Sequence, residues 1–200
     1  VVLADGFVGQ MMEPVEFPRS AILPRQPDWA VTGSARTRAN LISSLHLDAD
    51  EMEAHQHRLE AKYREAEKRE ARAEEWLTDD AEIILTGYGI VGRILKAVTA
   101  EARAGGLKVG LLRPITLYPF PAAYYRRLAL RAHLFFVVEM SNGQMLDDVR
   151  LSLNGTRPVE FFSRVGGNVP SHQEVLALVR KFGRQMAPFA SGEERKAYAY

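Results

Sequence analysis

The run Gly87-Tyr88-Gly89-Ile90-Val91-Gly92 is the residue pattern with the clearest chemical precedent in this chain. A G-x-G-x-x-G segment that leaves a strand and opens a helix lets the backbone approach a pyrophosphate at the positive end of that helix. Ile83-Ile84-Leu85 supplies an apolar strand ending at Gly87, and Val91 to Arg103 has helical spacing. A nicotinamide site also needs an Asp or Glu about 20 residues on, to hold the ribose hydroxyls. Here the next strand ends Leu111-Leu112-Arg113-Pro114, with no acid. Arg113 has the chemistry to meet a 2′-phosphate, but the proline after it restricts its backbone. The pattern therefore reads first as a tight strand-to-helix turn, with a dinucleotide, another anion or a partner at the helix N-terminus as alternatives. It lacks the Gly-Lys-Ser/Thr ending of a nucleotide P-loop.

Other reactive side chains do not converge. His55 and His57 lie two apart on a helical stretch and point to different faces, so they cannot grip one metal. Glu51–His55 and Glu53–His57 are expected as surface pairs at i, i+4 spacing. His133 precedes a buried strand and is expected at its edge. The serines include no G-x-S-x-G elbow. Asp79-Asp80 and Asp147-Asp148 are adjacent pairs, not a spaced acid and base. No catalytic or metal-ligating residue is assigned.

The ends of the strands are more informative. Glu139-Met140-Ser141-Asn142-Gly143-Gln144 follows one apolar run, and Ser163-Arg164-Val165-Gly166-Gly167 follows the next. With the first two strand ends they gather Gly87, Gly89, Gly92, Arg113, Asn142, Gly143, Gln144, Arg164, Gly166 and Gly167 on one rim. Open α/β sheets take ligands at that edge. The same rim suits a subunit interface, or turn chemistry alone.

The elements that would position this rim are legible from periodicity. Strands are expected at Ile83–Leu85, Leu107–Leu112, Leu134–Val138 and Val159–Phe162. Helices are expected from Val91 to Arg103, from Pro121 to about Ala132, from a capped start at Ser141-Asn142-Gly143-Gln144 through Leu153, and from Pro170-Ser171 to Phe182-Gly183. Apolar strands separated by single helices imply an α/β fold with a doubly wound, mostly parallel open sheet covered on both faces. A long charged helix over 48–77 precedes it. Asp48 caps it, and Met52, Leu59, Tyr63, Ala66, Ala73 and Leu77 form a narrow stripe. It is read as a surface helix resting one edge on a domain, or as a partner helix. The chain thus divides into 1–12, the end of a preceding domain; 13–47, a proline-bearing extended connector in which Trp29 is expected to pack; 48–77, the linker helix; 78–183, the α/β domain; and 184–200, a loose tail. The start at Val1, apparently inside a strand, reads as a piece of something longer.

Composition narrows the partners. Lys and Arg number 26 and Asp and Glu 25, so nothing calls for nucleic acid or an anionic membrane. The chain has no cysteine, which leaves no thiolate for a disulfide or an iron–sulfur cluster and fits a reducing cytoplasm. No apolar run reaches the roughly 18–20 residues of a membrane span.

Four segments together carry a resemblance. In order they are Gly87-Tyr88-Gly89; Arg113-Pro114-Ile115-Thr116-Leu117-Tyr118-Pro119-Phe120-Pro121; Val138-Glu139-Met140-Ser141-Asn142-Gly143-Gln144; and Arg164-Val165-Gly166-Gly167. They resemble domain II, the transketolase-C-terminal-like domain, of the alpha (core) subunit of 2-oxoacid:ferredoxin oxidoreductases. Leu3-Ala4-Asp5-Gly6-Phe7-Val8-Gly9-Gln10-Met11 resembles the end of that family's pyrimidine-binding domain, and His55-x-His57-Arg58 with Lys62-Tyr63 its linker helix. The resemblance implies oxidative decarboxylation of a 2-oxoacid on thiamine diphosphate, to acyl-CoA, with electrons passed through iron–sulfur clusters to ferredoxin. It also implies that thiamine diphosphate, magnesium and the clusters are held by upstream parts and by beta, gamma and delta subunits of an oligomer, and that this portion buttresses the assembly. Pyruvate, 2-oxoglutarate, branched-chain and aryl 2-oxoacids stay open, with a branched-chain or 2-oxoglutarate enzyme the expectation. The alternatives are an NAD(P)-binding domain and the C-terminal domain of a transketolase or pyruvate-dehydrogenase beta subunit.

Overall fold

The computed structural model describes residues 1–14, 16–17, 26–41 and 43–186. Most of the expected tail, and parts of the expected connector, lie outside the described residues. The described residues form two compact units, one within Met11–Glu65 and a second in which Val1–Gln10 packs with residues 66–186.

The larger unit is built on a five-stranded sheet in the order β1-β3-β2-β4-β5. The strands are β1 (Ala73–Trp76), β2 (Ile83–Thr86), β3 (Val109–Pro114), β4 (Leu134–Glu139) and β5 (Val159–Ser163). β2, β3, β4 and β5 run parallel, and β1 joins β3 antiparallel. Alternate residues of each central strand face opposite layers, as the two-residue repeat of a strand requires. Ile83, Leu85, Val109, Leu111, Phe136 and Val138 pack with α3 (Gly89–Ala104) and α6 (His172–Met186). Ile84, Leu112, Phe135 and Val137 pack on the other face with α4 (Ala122–Leu128) and α5 (Gln144–Leu153). The sheet is thus doubly wound and open, as the alternation of apolar strands and single helices predicts. In the second layer the hydroxyls of Thr86 and Tyr125 share a buried hydrogen bond of 2.6 Å. Burial pushes the Tyr125 hydroxyl well above its ordinary value, with the Thr86 bond opposing and Asp148 adding to the rise.

Several boundaries differ from the sequence expectation for local reasons. The long helix, α2 (Ala49–Glu70), begins at the expected cap, where the Glu51 N–H donates to Asp48 at 3.0 Å. It stops at Glu70, not Leu77, because the backbone of Arg72 bonds Thr116 and the following residues enter the sheet as β1. The alanine spacing that continued the helical stripe to Ala73 and Leu77 conceals this edge strand. Its glutamates instead meet cations: Glu74 stands opposite Arg113 and binds it at 2.6 Å, and Glu75 binds Arg127. Opposed charges of this kind fix register on a polar edge strand.

β3 starts two residues later than expected because Leu107 is used to close α3. The Leu107 N–H reaches the carbonyl of Ala102 and the Gly106 N–H that of Arg103, with Gly106 at φ +85°. This six-to-one and five-to-two pattern needs the left-handed residue that glycine supplies. α4 is shorter than expected, ending at Leu128. α6 opens at the expected Pro170-Ser171 start with a reciprocal exchange: the Glu174 N–H donates to Ser171 Oγ at 3.2 Å and the Ser171 N–H to Glu174 Oε2 at 3.0 Å.

No residue of α2 is buried, and within the smaller unit Met52, His55 and Leu59 form its half-covered stripe. His55 stacks near His46, ring centres 4.6 Å apart, and His57 lies 4.0 Å from Glu60. The expected Glu51–His55 and Glu53–His57 pairs give way to these neighbours; the Glu60–Arg64 pair is present at 2.5 Å. Trp29 does not pack as expected and is 67% exposed. No helix among the described residues is long and apolar enough to cross a membrane.

Candidate functional site: the crevice and rim at the carboxyl edge of the sheet

The winding direction of the sheet reverses between β2 and β4. The turn after β2 leads into α3 on one face, and the turn after β4 leads into α5 on the other. The two turns diverge there, and a crevice opens between them, as it does in open α/β sheets generally. Asp5, Tyr88, Ile90, Val91, Glu139 and Met140 line it.

The glycines of the first turn are there for close approach. A Cβ on Gly87 would lie 2.7 Å from Val91 Cγ1, 2.8 Å from Leu95 Cδ1 and 2.9 Å from the Val138 carbonyl. Gly89 has φ +58°, and a Cβ there would lie 2.2 Å from Asp5 Oδ2. A side chain on Gly92 would meet the stem of Arg113. These are the packing roles that the tight-turn reading expects.

The N-terminus of α3 already has an anion. Asp5 Oδ2 accepts the Ile90 N–H at 2.8 Å, while Oδ1 accepts the N–H groups of Phe7 at 2.9 Å and Val8 at 3.3 Å. One carboxylate therefore caps both α1 (Gly6–Gly9) and α3. Burial raises the Asp5 carboxyl, but the Ile90, Val8 and Phe7 donors and the charge of Arg93 outweigh it and hold it below its ordinary value. A phosphate at this helix end would have to displace Asp5 against like-charge repulsion. Arg113 is engaged by Glu74 and is not poised for a 2′-phosphate. The dinucleotide reading is not favoured.

The helix after the second turn starts within the expected Ser141-Asn142-Gly143-Gln144 segment, but its cap comes from the strand. Glu139, 1% exposed at the end of β4, accepts the Met145 N–H at 3.1 Å and the Ser141 hydroxyl at 2.7 Å, both on Oε2. Gly143, at φ +110°, turns the chain so that α5 begins at Gln144. Tyr88 lines the same crevice as the two carboxylates. Its hydroxyl is raised by burial and then by the charge of Glu139, opposed by a hydrogen bond with Ser141, with a further rise from Asp5.

Because β2 to β5 are parallel, all the expected rim residues lie at one edge of the sheet. Gly87, Gly89 and Gly92 follow β2, Arg113 is the last residue but one of β3, Asn142, Gly143 and Gln144 follow β4, and Arg164, Gly166 and Gly167 follow β5. Asn142, Gln144, Arg164, Gly166 and Gly167 are exposed, and Arg164 pairs with Glu174. The first turn and the second share the crevice; the stretch after β5 does not line it. Asp5 and Glu139, which give the crevice its charge, were not among the expected site residues. Asp5 lies 85 positions from its partner Ile90, so no local spacing reveals the contact. The N-cap pattern of Asp5 before Gly6-Phe7 is the only local trace.

Replacing Asp5 by alanine is expected to destabilise the fold by about 1–2 kcal/mol, the usual cost of losing a helix N-cap. Hydrogen exchange should show the Ile90 amide losing its protection, with Asp5→Asn restoring most of it. Since the folded carboxyl sits below its unfolded value, this contribution is complete above about pH 4 and fades as the pH falls further.

Comparison with known proteins fits this architecture. Residues 81–175 match the family described as pyruvate:ferredoxin oxidoreductase core domain II. The ketoisovalerate oxidoreductase subunit VorB of Methanothermobacter marburgensis is 46% identical over 183 residues, covering 90% of this chain and 51% of the relative. The 2-oxoglutarate synthase subunit KorA of Methanothermobacter thermautotrophicus is 34% identical over 111 residues, 56% of this chain and 30% of the relative. This chain spans about half the length of the VorB relatives it matches. A solved 2-oxoglutarate:ferredoxin oxidoreductase from Magnetococcus marinus, with 2-oxoglutarate, coenzyme A and succinyl-CoA bound, shares the fold with a TM-score of 0.58 at 15% identity. That match covers 68% of this chain and 24% of the solved one. The ordered strand-end segments, the doubly wound sheet and these matches agree: the chain belongs to the 2-oxoacid:ferredoxin oxidoreductase family and carries its core domain II.

Proposed function

We propose that this chain is part of the alpha subunit of a thiamine-diphosphate-dependent 2-oxoacid:ferredoxin oxidoreductase, and that this part assembles and braces the active site without supplying its reactive groups. The observation that carries the reading is the match of residues 81–175 to the core domain II family, together with 46% identity to a ketoisovalerate oxidoreductase subunit across most of the chain. By the same likeness the substrate is a branched-chain 2-oxoacid, oxidatively decarboxylated to its acyl-CoA with reduction of ferredoxin.

The residues present do not fit the cofactors of such a reaction. The helix ends where a diphosphate would lie already hold carboxylates, Asp5 on the Ile90 N–H of α3 and Glu139 on the Met145 N–H of α5. Among the described residues no three His, Asp or Glu side chains gather as a magnesium site would ask, and the sequence has no cysteine for a cluster. In this reading thiamine diphosphate, magnesium and the clusters are held by the rest of the subunit and by beta, gamma and delta partners in a cytoplasmic oligomer. The domain division follows the same reading: 1–12 ends the pyrimidine-binding domain, 13–47 connects, 48–77 links into the sheet, 78–183 forms domain II and 184–200 trails it. The exposed rim residues Asn142, Gln144, Arg164, Gly166 and Gly167 would face a partner subunit.

The test is the complex captured through its full-length alpha subunit from anaerobically grown cells, assayed for CoA-dependent viologen reduction. The expected result is activity highest with ketoisovalerate, above 2-oxoglutarate and pyruvate. Reduction of NAD(P) with no ferredoxin-type acceptor would overturn the reading.

A further inference from the structure

We propose that the amino edge of the sheet, opposite the rim, carries a second docking surface, where the ends of α4 and α5 receive an acidic segment of a neighbouring subunit. The inference rests on the reading of this chain as one subunit of a larger enzyme, and it adds a contact face that the rim does not account for.

α4 and α5 each follow a parallel strand and run back along the sheet, so their C-terminal ends come together at the amino edge. Arg157 ties these ends to each other. Its Nε donates to the carbonyl of Ala129, just past α4, at 2.8 Å, and its Nη1 to that of Thr156 at 3.3 Å. The guanidinium is thereby held on one side, with no partner on Nη2 among the described residues. Arg150, Leu153, Gly155, Arg157 and Val159 line a cleft of about 310 Å³, more than a lone inorganic anion fills. Nothing lies within 4 Å of where a Cβ on Gly155 would stand, so the turn beside the cleft leaves it open.

Charge decides the sign of the occupant. Elsewhere on this unit Arg72, Arg103, Arg113, Arg127, Arg164 and Arg180 each pair with a carboxylate. Arg150 and Arg157 have no acidic partner among the described residues, and neither has Arg131, two positions beyond Ala129. Glu160 does not serve them. Val159 and Phe161 pack with the α4 and α5 layer and Phe162 with the other, so the alternation of the strand carries Glu160 to the opposite face. Guanidinium forks match the two oxygens of a carboxylate. The apolar surface separates a protein from a solute. Leu130 and Leu151, 83% and 80% exposed, are the chain neighbours of Arg131 and Arg150. A free anion has no use for them, whereas a mixed apolar and arginine-bearing face is one that protein partners cover. The segment that fits has at least one Asp or Glu carboxylate for the arginines and an apolar residue beside it.

The test uses the assembled complex carrying the full-length subunit with Arg150→Lys, which keeps the charge. A water-soluble carbodiimide activates a nearby carboxylate, the introduced amine displaces the urea to form an amide bond, and peptide mass spectrometry locates that bond. The expected product joins the α5 peptide to an Asp or Glu of another subunit. Coupling only to acids of this chain, or no coupling, overturns the proposal. Arg131→Glu with Arg150→Glu, both at exposed positions, supplies a second measurement. At low salt its subunits are expected to associate about tenfold more weakly than the native ones, with kcat per assembled complex unchanged. Association equal to native overturns the proposal, and so does a double variant that assembles normally but loses a stabilisation by inorganic phosphate seen in the native complex, which marks a small-anion site. Should the double variant fail to fold, the crosslink decides. Viologen reduction by the same preparation keeps the two failures apart: an active complex without the crosslink sinks this proposal alone, and a crosslinked complex without 2-oxoacid activity sinks the enzyme reading alone.

Discussion

Substituting valine for Gly87 is expected to destabilise the subunit by about 3 kcal/mol or more, at the upper end of overpacking costs. The position faces three neighbours at once. A Cβ would approach Val91 and Leu95 of α3 within 2.8 Å and the backbone carbonyl of Val138 within 2.9 Å. The two side chains have some room to move, but the carbonyl belongs to β4, which is hydrogen-bonded to strands on both sides. Relief therefore requires α3 to lift from the sheet, which would also pull the Ile90 amide from Asp5 and open the crevice. Denaturant unfolding would show a lower midpoint. Gly92→Ala, whose nearest neighbour is the flexible stem of Arg113, should cost far less. Equal losses at the two positions would mean that the turn is not held as tightly as these distances say.

Phe136→Ala should be comparably severe, at about 3–5 kcal/mol, the range for emptying an aromatic site in a core. Phe136 is fully buried on β4, with its ring 5.0 Å from that of Phe182 in an edge-to-face arrangement. It packs where β4 meets the α3 and α6 layer. Closing the cavity would need α6 to move onto the sheet, and the capping exchange at Ser171 and Glu174 fixes where that helix starts. Phe162→Ala, only half-buried on the edge strand β5, is the control and should lose much less. Equal unfolding midpoints for the two variants would contradict this placement of the core.

What the sequence disclosed follows from the range of the forces involved. Buried strands such as Leu134–Val138 are continuous apolar runs, and α6 carries its own capping pair, so both are legible locally. β1 is not, because a four-residue edge strand with two glutamates has no apolar signature. Its identity is written in Arg113 and Arg127, far along the chain. The rim was legible for a topological reason: parallel strands must all end on the same edge. The character of the crevice was not. Asp5 reaches α3 across 85 residues, and Glu139 reads as the last residue of a strand until the fold turns its carboxylate back onto α5. The glycine pattern was ambiguous by itself, since the same spacing serves a pyrophosphate or a close-packed turn. A carboxylate resident at the helix end separates the two.

The central claim, that this part of the subunit assembles the enzyme and supplies none of its reactive groups, is tested most directly at the rim. The double variant Asn142→Arg with Arg164→Glu alters two exposed positions without touching the core; the Arg164–Glu174 pair it removes is partly exposed and contributes little to folding. The measurement is native mass of the complex together with kcat per assembled complex in 2-oxoacid-dependent viologen reduction. Association is expected to weaken by about tenfold or more, as charges misplaced at an interface do, with kcat per assembled complex within about twofold of native. An intact complex whose kcat falls by about a hundredfold, an effect of at least 2.7 kcal/mol on the barrier, would contradict it and make the rim part of the chemistry. An intact complex with unchanged kcat would contradict it as well, by removing the rim from the interface.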